Sequence, residues 1–125
     1  MPIRYFTEEE ANRLLPQIEP VMAELINRRG RAVRIGQELS DLLDDMFSNI
    51  GGASLSALTL EFMAIERGIQ QIQALGCLVK DINVGLVDFL ANRNGRDVYL
   101  CWRYGEPTVA FYHDVHTGFN SRRPL

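Results

Sequence analysis

The sequence feature that most constrains the fold is an Asn-Gly pair between two alternating apolar segments. Asn94-Gly95 separates the segment GLVDFLAN from the segment DVYLCWRY. Asn-Gly at such a position is typical of a two-residue type I′ turn, in which both central residues have positive φ. A two-residue turn fixes the register of a hairpin, so we expect Asp88 to lie directly opposite Cys101. Asp88 and Cys101 thus form a candidate polar site on the face of the sheet that the main apolar side chains do not occupy.

We predict further strands on both sides of this hairpin. Its own strands span Gly85–Asn92 and Asp97–Tyr104, and Leu78-Val79 is predicted to begin a short strand before them. Gly105-Glu106 is typical of a second tight turn, with glycine placed for type II′ geometry. That turn would lead into a third strand over Thr108–His113. The C-terminal arm after it, residues 117–125, is polar and expected to be extended.

A two-residue turn at Gly105-Glu106 also assigns the side chains to the faces of the sheet. One face is apolar and should pack on helices; it carries Val87, Phe89, Val98, Leu100, Trp102, Val109 and Phe111. The other face carries Leu86, Asp88, Leu90, Tyr99, Cys101, Arg103, Ala110 and Tyr112. In this register His113 lies beside Val98, away from Asp88. A three-residue loop at Gly105–Pro107 would instead flip the third strand and move His113 to the face of Asp88.

The first part of the chain predicts helices. Thr7 and Glu10 have the spacing of a capping box, in which each side chain accepts a hydrogen bond from the other residue's backbone N–H. The helix that begins there should be short, because Leu15 precedes Pro16 and the residue before a proline avoids the α region. Pro16 suits the first turn of a second helix, and Pro20 is either tolerated near that start or marks a kink.

Two heptad-like seams then predict a long antiparallel helical hairpin. A helix from Pro16 to about Phe47 carries the first seam, which consists of Ile18, Met22, Leu25, Arg29, Ala32, Gly36, Leu39, Leu43 and Met46. Ser48–Gly52 is predicted to break this helix. The second seam consists of Leu55, Leu58, Phe62, Ile65, Ile69 and Ile72. Gly76 is expected to end the second long helix as its C′ residue. The first long helix exceeds the second by several turns, so its extra length needs another partner.

Composition limits the class of protein. A chain of 125 residues suits one domain, and 46% hydrophobic with 23% charged residues is ordinary for a globular protein. The net charge of −3 argues against a dedicated nucleic-acid binder. No apolar run approaches the roughly 20 residues that span a bilayer, and the first residues lack the apolar core of a signal peptide. We therefore expect a cytoplasmic protein whose two cysteines stay reduced.

Several motifs resemble those of a known family. The motifs are RYFTxEEAN and LLP near the start, GLVDF and VYLCWRxGEP in the predicted sheet, and FYH, GF and RPL at the end. Together they resemble an uncharacterised bacterial family, catalogued as domain of unknown function 2203, over nearly the whole chain. Tyr112 stands where tryptophan is more usual in that family, and Leu90 stands where a proline is expected. The resemblance supports the predicted fold and, because the family has no established activity, it implies no mechanism.

A carboxylate, a thiol and two imidazoles suggest a metal site. Asp88 and Cys101 are predicted cross-strand neighbours with Cβ atoms about 5 Å apart, and His113 and His116 follow later in the chain. These residue types suit zinc or another divalent transition metal. In the alternative interpretation Cys101 is a small buried hydrophobe, and Asp88 pairs diagonally with Arg103. The metal hypothesis depends on the register of the third strand, because only the flipped register brings His113 to Asp88.

Two further hypotheses use nearby residues. Cys101 could act as a nucleophile with His113 as its base, although a thiol inside a central strand is usually inert. Four arginines in the middle of the long helix could bind phosphate, or form a solvated face balanced by acids; they are Arg28, Arg29, Arg31 and Arg34. Of these, Arg29 falls on the seam, where a polar residue either fixes the register of the helices or meets an acid such as Glu66 of the next helix.

Aromatic residues favour a protein interface. Tyr99 and Tyr112 are predicted to lie side by side on the face that also carries Arg103, and tyrosines are enriched at interfaces. With the unmatched helix length, they favour a homodimeric interaction or scaffold protein. The alternative is a small metal-binding protein or metal-dependent enzyme that uses Asp88, Cys101 and His113. The residue patterns identify no reaction, no substrate and no particular protein partner.

We therefore predict one α+β domain. Residues 1–76 are expected to form a long antiparallel helical hairpin with a short N-terminal helix. Residues 77–125 are expected to form an antiparallel meander of three or four strands and a C-terminal arm. The hairpin should pack on one face of the sheet, because only that arrangement buries both the helical seams and the apolar strand face.

Overall fold

In residues 4–44 and 52–125, the part of the chain that the computed structural model describes, a two-helix hairpin packs on a five-stranded antiparallel sheet. The helices are α1 (Glu8–Asp44) and α2 (Gly52–Gln73). The strands are β1 (Leu78–Asp81), β2 (Leu86–Arg93), β3 (Arg96–Arg103), β4 (Phe111–Asp114) and β5 (Arg123–Pro124). Neighbouring strands follow the order of the chain, so the sheet is a meander. The predicted fold class is confirmed, with one strand more than the larger predicted number.

The helix α1 starts at the predicted capping box but is not interrupted by its prolines. The Thr7 backbone N–H donates to Glu10 Oε1 at 3.0 Å, and the Glu10 N–H donates to Thr7 Oγ1 at 3.1 Å. The helix then continues through Pro16 and Pro20, so the prediction of a separate short helix ending near Leu15 is wrong. Both prolines are exposed, which leaves the carbonyl groups that lose their helical donors free to bond to water.

Burial along α1 ends well before the helix does. Ile18, Met22, Leu25 and Ala32 of the predicted seam are buried. From Val33 onward, no α1 side chain that the structure describes is buried. The predicted seam positions Leu43 and Met46 and most of the predicted break at Ser48–Gly52 lie outside the described side chains, although Gly52 itself is the first residue of α2. The first long helix therefore extends beyond the core, as its predicted excess length implies.

The helix α2 packs on α1 through a face slightly different from the predicted seam. Ile72 is buried, but Leu55 and Phe62 are 55% and 57% exposed, so those two seam assignments are wrong. Instead, Gly68 lies so close to α1 that an added Cβ would be 2.6 Å from Cδ2 of Leu25. The two helices therefore approach each other closely at Gly68, where a larger residue would clash with Leu25.

An acidic residue of α2 does meet the arginines of α1, but it is not the predicted one. Glu61 contacts Arg28 at 3.2 Å and Arg31 at 3.3 Å. The predicted partner, Glu66, instead accepts a hydrogen bond from Gln70 on its own helix. The predicted pairing of Arg29 with Glu66 is therefore replaced by an ion-pair network one turn earlier on α2.

The central hairpin has the predicted turn and register. Asn94 and Gly95 have φ values of 55° and 81°, and Asp88 lies opposite Cys101. One face of this hairpin packs on the helices through apolar side chains: Val87, Phe89, Val98, Leu100 and Trp102 are all buried. We call this the helix-packed face and the opposite one the outer face.

The connection from β3 to β4 is not the predicted two-residue turn. Gly105 has the positive φ expected of it, 99°. However, the loop folds around Glu106, whose carboxylate accepts from the Arg103 backbone N–H at 2.6 Å and whose carbonyl accepts from Trp102 Nε1 at 3.0 Å. The loop is longer than predicted, and β4 begins at Phe111 rather than at Thr108.

This longer loop shifts β4 by one residue and exchanges its faces. His113 pairs with Tyr99, and Phe111 pairs with Cys101. Both side chains consequently lie on the outer face, whereas the prediction from a two-residue turn placed them on the apolar face. Tyr112 moves in the opposite direction and packs against the helix-side core. The flipped register, stated above as the alternative, is the one that the chain adopts.

A clamp from α1 fixes the point where the chain re-enters the sheet. Asn12 Oδ1 accepts from the Val109 backbone N–H at 2.7 Å, and Asn12 Nδ2 is 3.4 Å from the Val109 carbonyl oxygen. One side-chain amide thus supplies both hydrogen bonds that a neighbouring strand would supply. The clamp holds Val109 in the core, where it has no exposed surface.

The C-terminal arm folds back along β4 within the same chain. A 3₁₀ turn over Phe119–Ser121 leads into β5, which pairs with β4 through Tyr112–Arg123 and Phe111–Pro124. The Leu125 backbone N–H then donates to the Ala110 carbonyl at 2.9 Å.

Neither described helix has the combination of length and apolar character needed to cross a membrane.

Candidate metal centre

Three side chains of metal-ligand type converge on the outer face of the sheet. Asp88 extends from β2, Cys101 from the directly opposite position of β3, and His113 from β4. One ligand atom from each residue lies within 4.8 Å of the other two. All three residues are buried, at 3%, 1% and 4% exposure. Within the described residues this is the one group of three such side chains that meets these distances.

The hydrogen bonds of His113 determine which ring nitrogen carries its proton. Nδ1 lies 2.8 Å from the backbone oxygen of Asp114, and Nε2 lies 3.1 Å from Oδ2 of Asp88. A carbonyl oxygen only accepts, so Nδ1 is protonated and donates to it. In a neutral ring Nε2 then carries a lone pair that faces a carboxylate oxygen, which is also an acceptor. This contact is favourable only when a proton or a metal ion lies between the two atoms.

The contact with Asp114 is of the kind that orients a metal-binding histidine. A ligating imidazole almost always donates its other N–H to a carbonyl or carboxylate, which fixes both the tautomer and the ring direction. In this chain the carbonyl comes from the residue that follows His113, at the last position of β4. The ring is therefore held with Nε2 directed at Asp88 whether or not a cation is bound.

The third group, the Cys101 thiol, is protonated at neutral pH in the absence of a metal. Burial raises its pKa, the nearby Asp88 carboxylate raises it further, and the result is a pKa of about 12. A nucleophilic cysteine requires the opposite shift, toward the thiolate. The arrangement therefore gives no support to the hypothesis of Cys101 as a nucleophile with His113 as its base. A metal ion would replace this proton, because a coordinating thiol is deprotonated.

The C-terminal arm is anchored beside this group by Arg122. Its guanidinium lies 4.1 Å from the ring centre of Phe111 and 4.6 Å from that of Phe119. Its Nη2 donates to both carboxylate oxygens of Glu106, at 2.7 and 2.8 Å, and to the backbone oxygen of Cys101 at 3.3 Å. One side chain thus connects the arm, the β3–β4 loop and the strand that carries the thiol.

Comparison with known proteins places the chain in a family. Residues 4–125 match the family described as uncharacterized conserved protein (DUF2203). The chain belongs to DUF2203. The match covers every described helix and strand and all three side chains of the candidate centre, and it confirms the resemblance seen in the sequence motifs. Neither curated proteins nor solved structures include a significant match to the chain.

Two residues proposed for the site from sequence lie elsewhere in this DUF2203 chain. His116 is exposed and lines a separate open cavity of about 390 Å³ together with Arg96 and Asp97, so it is not part of the group of three. Arg103 is also exposed, and its guanidinium lies 5.8 Å from the ring centre of Phe119. The predicted diagonal pair of Asp88 with Arg103 is replaced by the pair of Asp88 with His113.

The two tyrosines predicted to lie side by side are on opposite faces. Tyr99 is on the outer face, with its ring centre 5.7 Å from that of His113. Tyr112 is on the helix-packed face, and the Arg93 guanidinium lies 4.4 Å from its ring centre. The predicted common surface of Tyr99, Tyr112 and Arg103 is therefore wrong in its geometry. The part that each residue plays in an interface stays a prediction.

Two of the four arginines in the middle of α1, Arg28 and Arg31, form ion pairs with acids. Arg28 contacts Glu24 at 2.9 Å, and both Arg28 and Arg31 contact Glu61 of α2. This network lies across the helix–helix contact, so it connects α1 with α2.

Sequence reasoning also missed Arg122, Glu106 and Asp114, because their roles depend on contacts that leave no local pattern.

Proposed function

We propose that this DUF2203 protein binds a divalent transition metal, zinc first among the candidates, through Asp88, Cys101 and His113. One observation carries the proposal: Nε2 of His113 and Oδ2 of Asp88 face each other at 3.1 Å, beside a buried thiol, so that three donors of metal-ligand type converge within 4.8 Å. With Nδ1 donating to the Asp114 carbonyl, a bound cation takes the place that a proton otherwise holds between Nε2 and Oδ2, and it gives the sulfur a partner as a thiolate.

The chemistry of the three donors selects the class of metal. Sulfur, imidazole nitrogen and carboxylate oxygen together suit zinc and similar transition metals, whereas calcium and magnesium prefer oxygen ligands alone. Bonds of about 2.0 to 2.3 Å to a tetrahedral ion bring ligand atoms roughly 3.4 to 3.7 Å apart. The donors lie within 4.8 Å of one another, so rotations of the side chains by a small angle complete the site. A fourth position remains for water or another donor.

Metal content of the purified protein tests this proposal. Protein prepared with no affinity tag and no chelator should contain nearly one zinc per chain by elemental analysis. Chelator-treated protein should bind Co²⁺ with the absorption bands of a thiolate-to-cobalt charge transfer. Cys101→Ser and His113→Gln should each weaken metal binding by at least about tenfold, since both remove a direct ligand.

Matched control variants are available for both ligands. Cys77→Ser changes the other buried thiol, whose sulfur donates to the Ile72 carbonyl, and His116→Gln changes the exposed histidine. Both variants should bind zinc as the original chain does. Failure of the folded chain to bind added zinc would refute the proposal, as would a Cys101→Ser variant with undiminished affinity.

A second candidate function is self-association through α2, with a second copy of the chain as the partner. Four large apolar side chains near the start of α2 are more than half exposed: Leu55 (55%), Leu60 (63%), Phe62 (57%) and Met63 (51%). Leu55 and Phe62 are seven residues apart and lie on one stripe of the helix. Isolated apolar residues on a surface are common, whereas four large exposed ones within nine residues of one helix favour an interaction surface. A two-fold pairing would bury the same stripe on both copies.

Light scattering at micromolar concentration tests this second candidate. The expected mass is twice the 14.2 kDa of one chain. Phe62→Glu should convert the protein to a monomer without loss of helical content. Val84→Glu is the matched control, because Val84 is also exposed (38%) but lies in the turn before β2. A monomeric original chain would exclude self-association, and a dimer unaffected by Phe62→Glu would exclude this surface.

A further inference from the structure

Three arginines lie together at one corner of the helix-packed face. Arg93 ends β2 and pairs with Arg96, the first residue of β3, while Arg123 of β5 pairs with Tyr112 of β4. Since alternate residues share a face, Arg96 lies on the side of Val98, and Arg93 and Arg123 lie on the same side. We call these three residues the arginine corner. They surround a cavity of about 210 Å³ whose walls include Val98 and Tyr112.

The charge of the arginine corner is only partly compensated. Like charges directly opposite each other in a sheet are destabilising, yet Arg93 and Arg96 occupy such a pair of positions. Arg96 contacts Asp114 at 3.3 Å. In the described part of the chain, neither Arg93 nor Arg123 has a carboxylate within 4.0 Å. Around this cavity three cations therefore face one carboxylate, although the chain as a whole has a net charge of −3.

One of the three guanidinium groups is already oriented. Arg93 stacks on Tyr112 with its central carbon 4.4 Å from the ring centre. Stacking occupies the flat face of a guanidinium and leaves its N–H groups, which point outward in the plane, available to an anion. Asn94, which also borders the cavity, adds an amide donor. These donors match the oxygen atoms of a phosphate group, which arginine binds with two parallel hydrogen bonds.

We infer that the arginine corner is a binding site for the phosphate group of a small phosphorylated molecule. The uncompensated charge of two cations equals the charge of about −2 that a phosphate monoester carries at neutral pH. The cavity is smaller than the roughly 300 Å³ at which pockets for whole drug-sized ligands begin. It therefore takes the phosphate, and the remainder of the ligand extends into solvent over the open side. Asp88, Cys101 and His113 lie on the other face of the sheet, so the phosphate site uses none of the three metal-ligand side chains.

Calorimetric titration of the chelator-treated protein with inorganic phosphate and with phenyl phosphate tests this inference. Both probes should bind in a buffer of about 0.1 M sodium chloride. Tighter binding of phenyl phosphate assigns the site to phosphate esters, and equal binding assigns it to the free anion; either result supports a phosphate site. Arg93→Gln and Arg123→Gln should each weaken binding by about tenfold or more, because each removes charge-assisted hydrogen bonds.

Arg34→Gln is the matched control, because Arg34 is an exposed arginine of α1 far from this cavity along the chain. It should bind both probes as the original chain does, and all three variants should melt at the same temperature as the original chain. Absence of heat with both probes would overturn the inference, as would equal weakening by Arg34→Gln. A single-stranded oligonucleotide that binds far more tightly than either probe, with a steep salt dependence, would also overturn it in favour of nucleic acid.

Discussion

Both faces of the sheet contain buried side chains, but the two sets are stabilised by different means. On the helix-packed face, Val87, Phe89 and Trp102 have no exposed surface and contact other apolar side chains. On the outer face, Asp88 and His113 are almost as deeply buried, at 3% and 4% exposure, and they contact each other. Apolar burial is favourable in any direction, whereas polar burial is favourable only when each group has its partner. The first face therefore stabilises the fold, and the second fixes a particular chemical arrangement.

The largest expected effect is on the helix-packed face. Phe89→Ala should lower the free energy of unfolding by about 3 to 5 kcal/mol, because it removes a fully buried ring that packs edge-to-face on Phe6 at 5.2 Å. Denaturant titration measures the loss, and Phe89→Leu should lose clearly less. If Phe89→Ala lost less unfolding free energy than the outer-face variants, the helix-packed face would not be the one that stabilises the fold.

The next largest effect concerns how tightly atoms are packed on the helix-packed side of the sheet. Gly85 has φ of 79°, and an added Cβ would lie 2.6 Å from Cβ of Tyr104 and 3.2 Å from Met22. Gly85→Ala should therefore cost about 2 to 4 kcal/mol of unfolding free energy, from backbone strain and overpacking together. Gly95→Ala is the control, because Gly95 has a similar φ of 81° but no atom within 4 Å of an added Cβ. It should lose only about 1 kcal/mol, and equal losses would contradict the role of the close approach.

On the outer face, Asp88→Asn should separate folding from metal binding. The asparagine amide can donate to Nε2 of His113, so the metal-free variant should differ from the original chain by only about 1 kcal/mol. Zinc should raise the unfolding midpoint of the original chain, since a ligand that binds only the folded state stabilises it. Zinc should leave the unfolding midpoint of Asp88→Asn unchanged. Zinc stabilisation that persists in Asp88→Asn would show that the carboxylate is not a ligand.

The smallest effect is the pH dependence that the two thiols impose. Burial raises the pKa of Cys77 to about 11, and burial with the Asp88 carboxylate raises that of Cys101 to about 12, from an ordinary value of 9.0. Between pH 9 and 11 the unfolded chain loses these protons while the folded chain keeps them. The free energy of unfolding of the metal-free protein should therefore fall as pH rises, by about 1 kcal/mol per thiol at pH 10.

Cysteine variants measure how much each thiol contributes to this decrease in the free energy of unfolding with rising pH. Cys77→Ala and Cys101→Ala should each flatten the decline between pH 9 and 10, as measured by denaturant titration at several pH values. An undiminished decline in both variants would assign the pH dependence to other groups. A thiol-reactive probe at pH 8 should label neither cysteine in the folded protein and both after unfolding.

The central hairpin could be predicted from the sequence because its signal is local. Asn94-Gly95 determines the turn, the turn determines the register, and the register places Asp88 opposite Cys101. The position of His113 could not be predicted in the same way. It depends on the fold of the β3–β4 loop around Glu106 and on the clamp from Asn12, which is 97 residues away from Val109. Contacts of this separation have no periodicity or motif from which to read them.

The other differences between prediction and structure have similar causes. The capping box at Thr7 was readable, whereas the passage of α1 through Pro16 depends on packing against the sheet, which outweighs the local preference. The anchoring of the C-terminal arm by Arg122 was also hidden, since its partners Glu106 and Phe111 are brought to it only by the folded sheet. The sequence showed that Asp88, Cys101 and His113 are residue types that bind metals. It did not show that the three side chains converge, because that depends on the register of β4.

The Asn12 clamp has a consequence for how the length of this chain can vary in evolution. Asn12 holds Val109 at a fixed place, so residues inserted before Val109 can bulge into solvent without disturbing β4. Only three residues separate Val109 from His113, and strand residues alternate between faces. A single insertion there would turn the histidine toward the helices, whereas two would leave its direction unchanged. Descendants of this sequence are therefore expected to tolerate insertions and deletions freely on one side of Val109 and only in even numbers on the other.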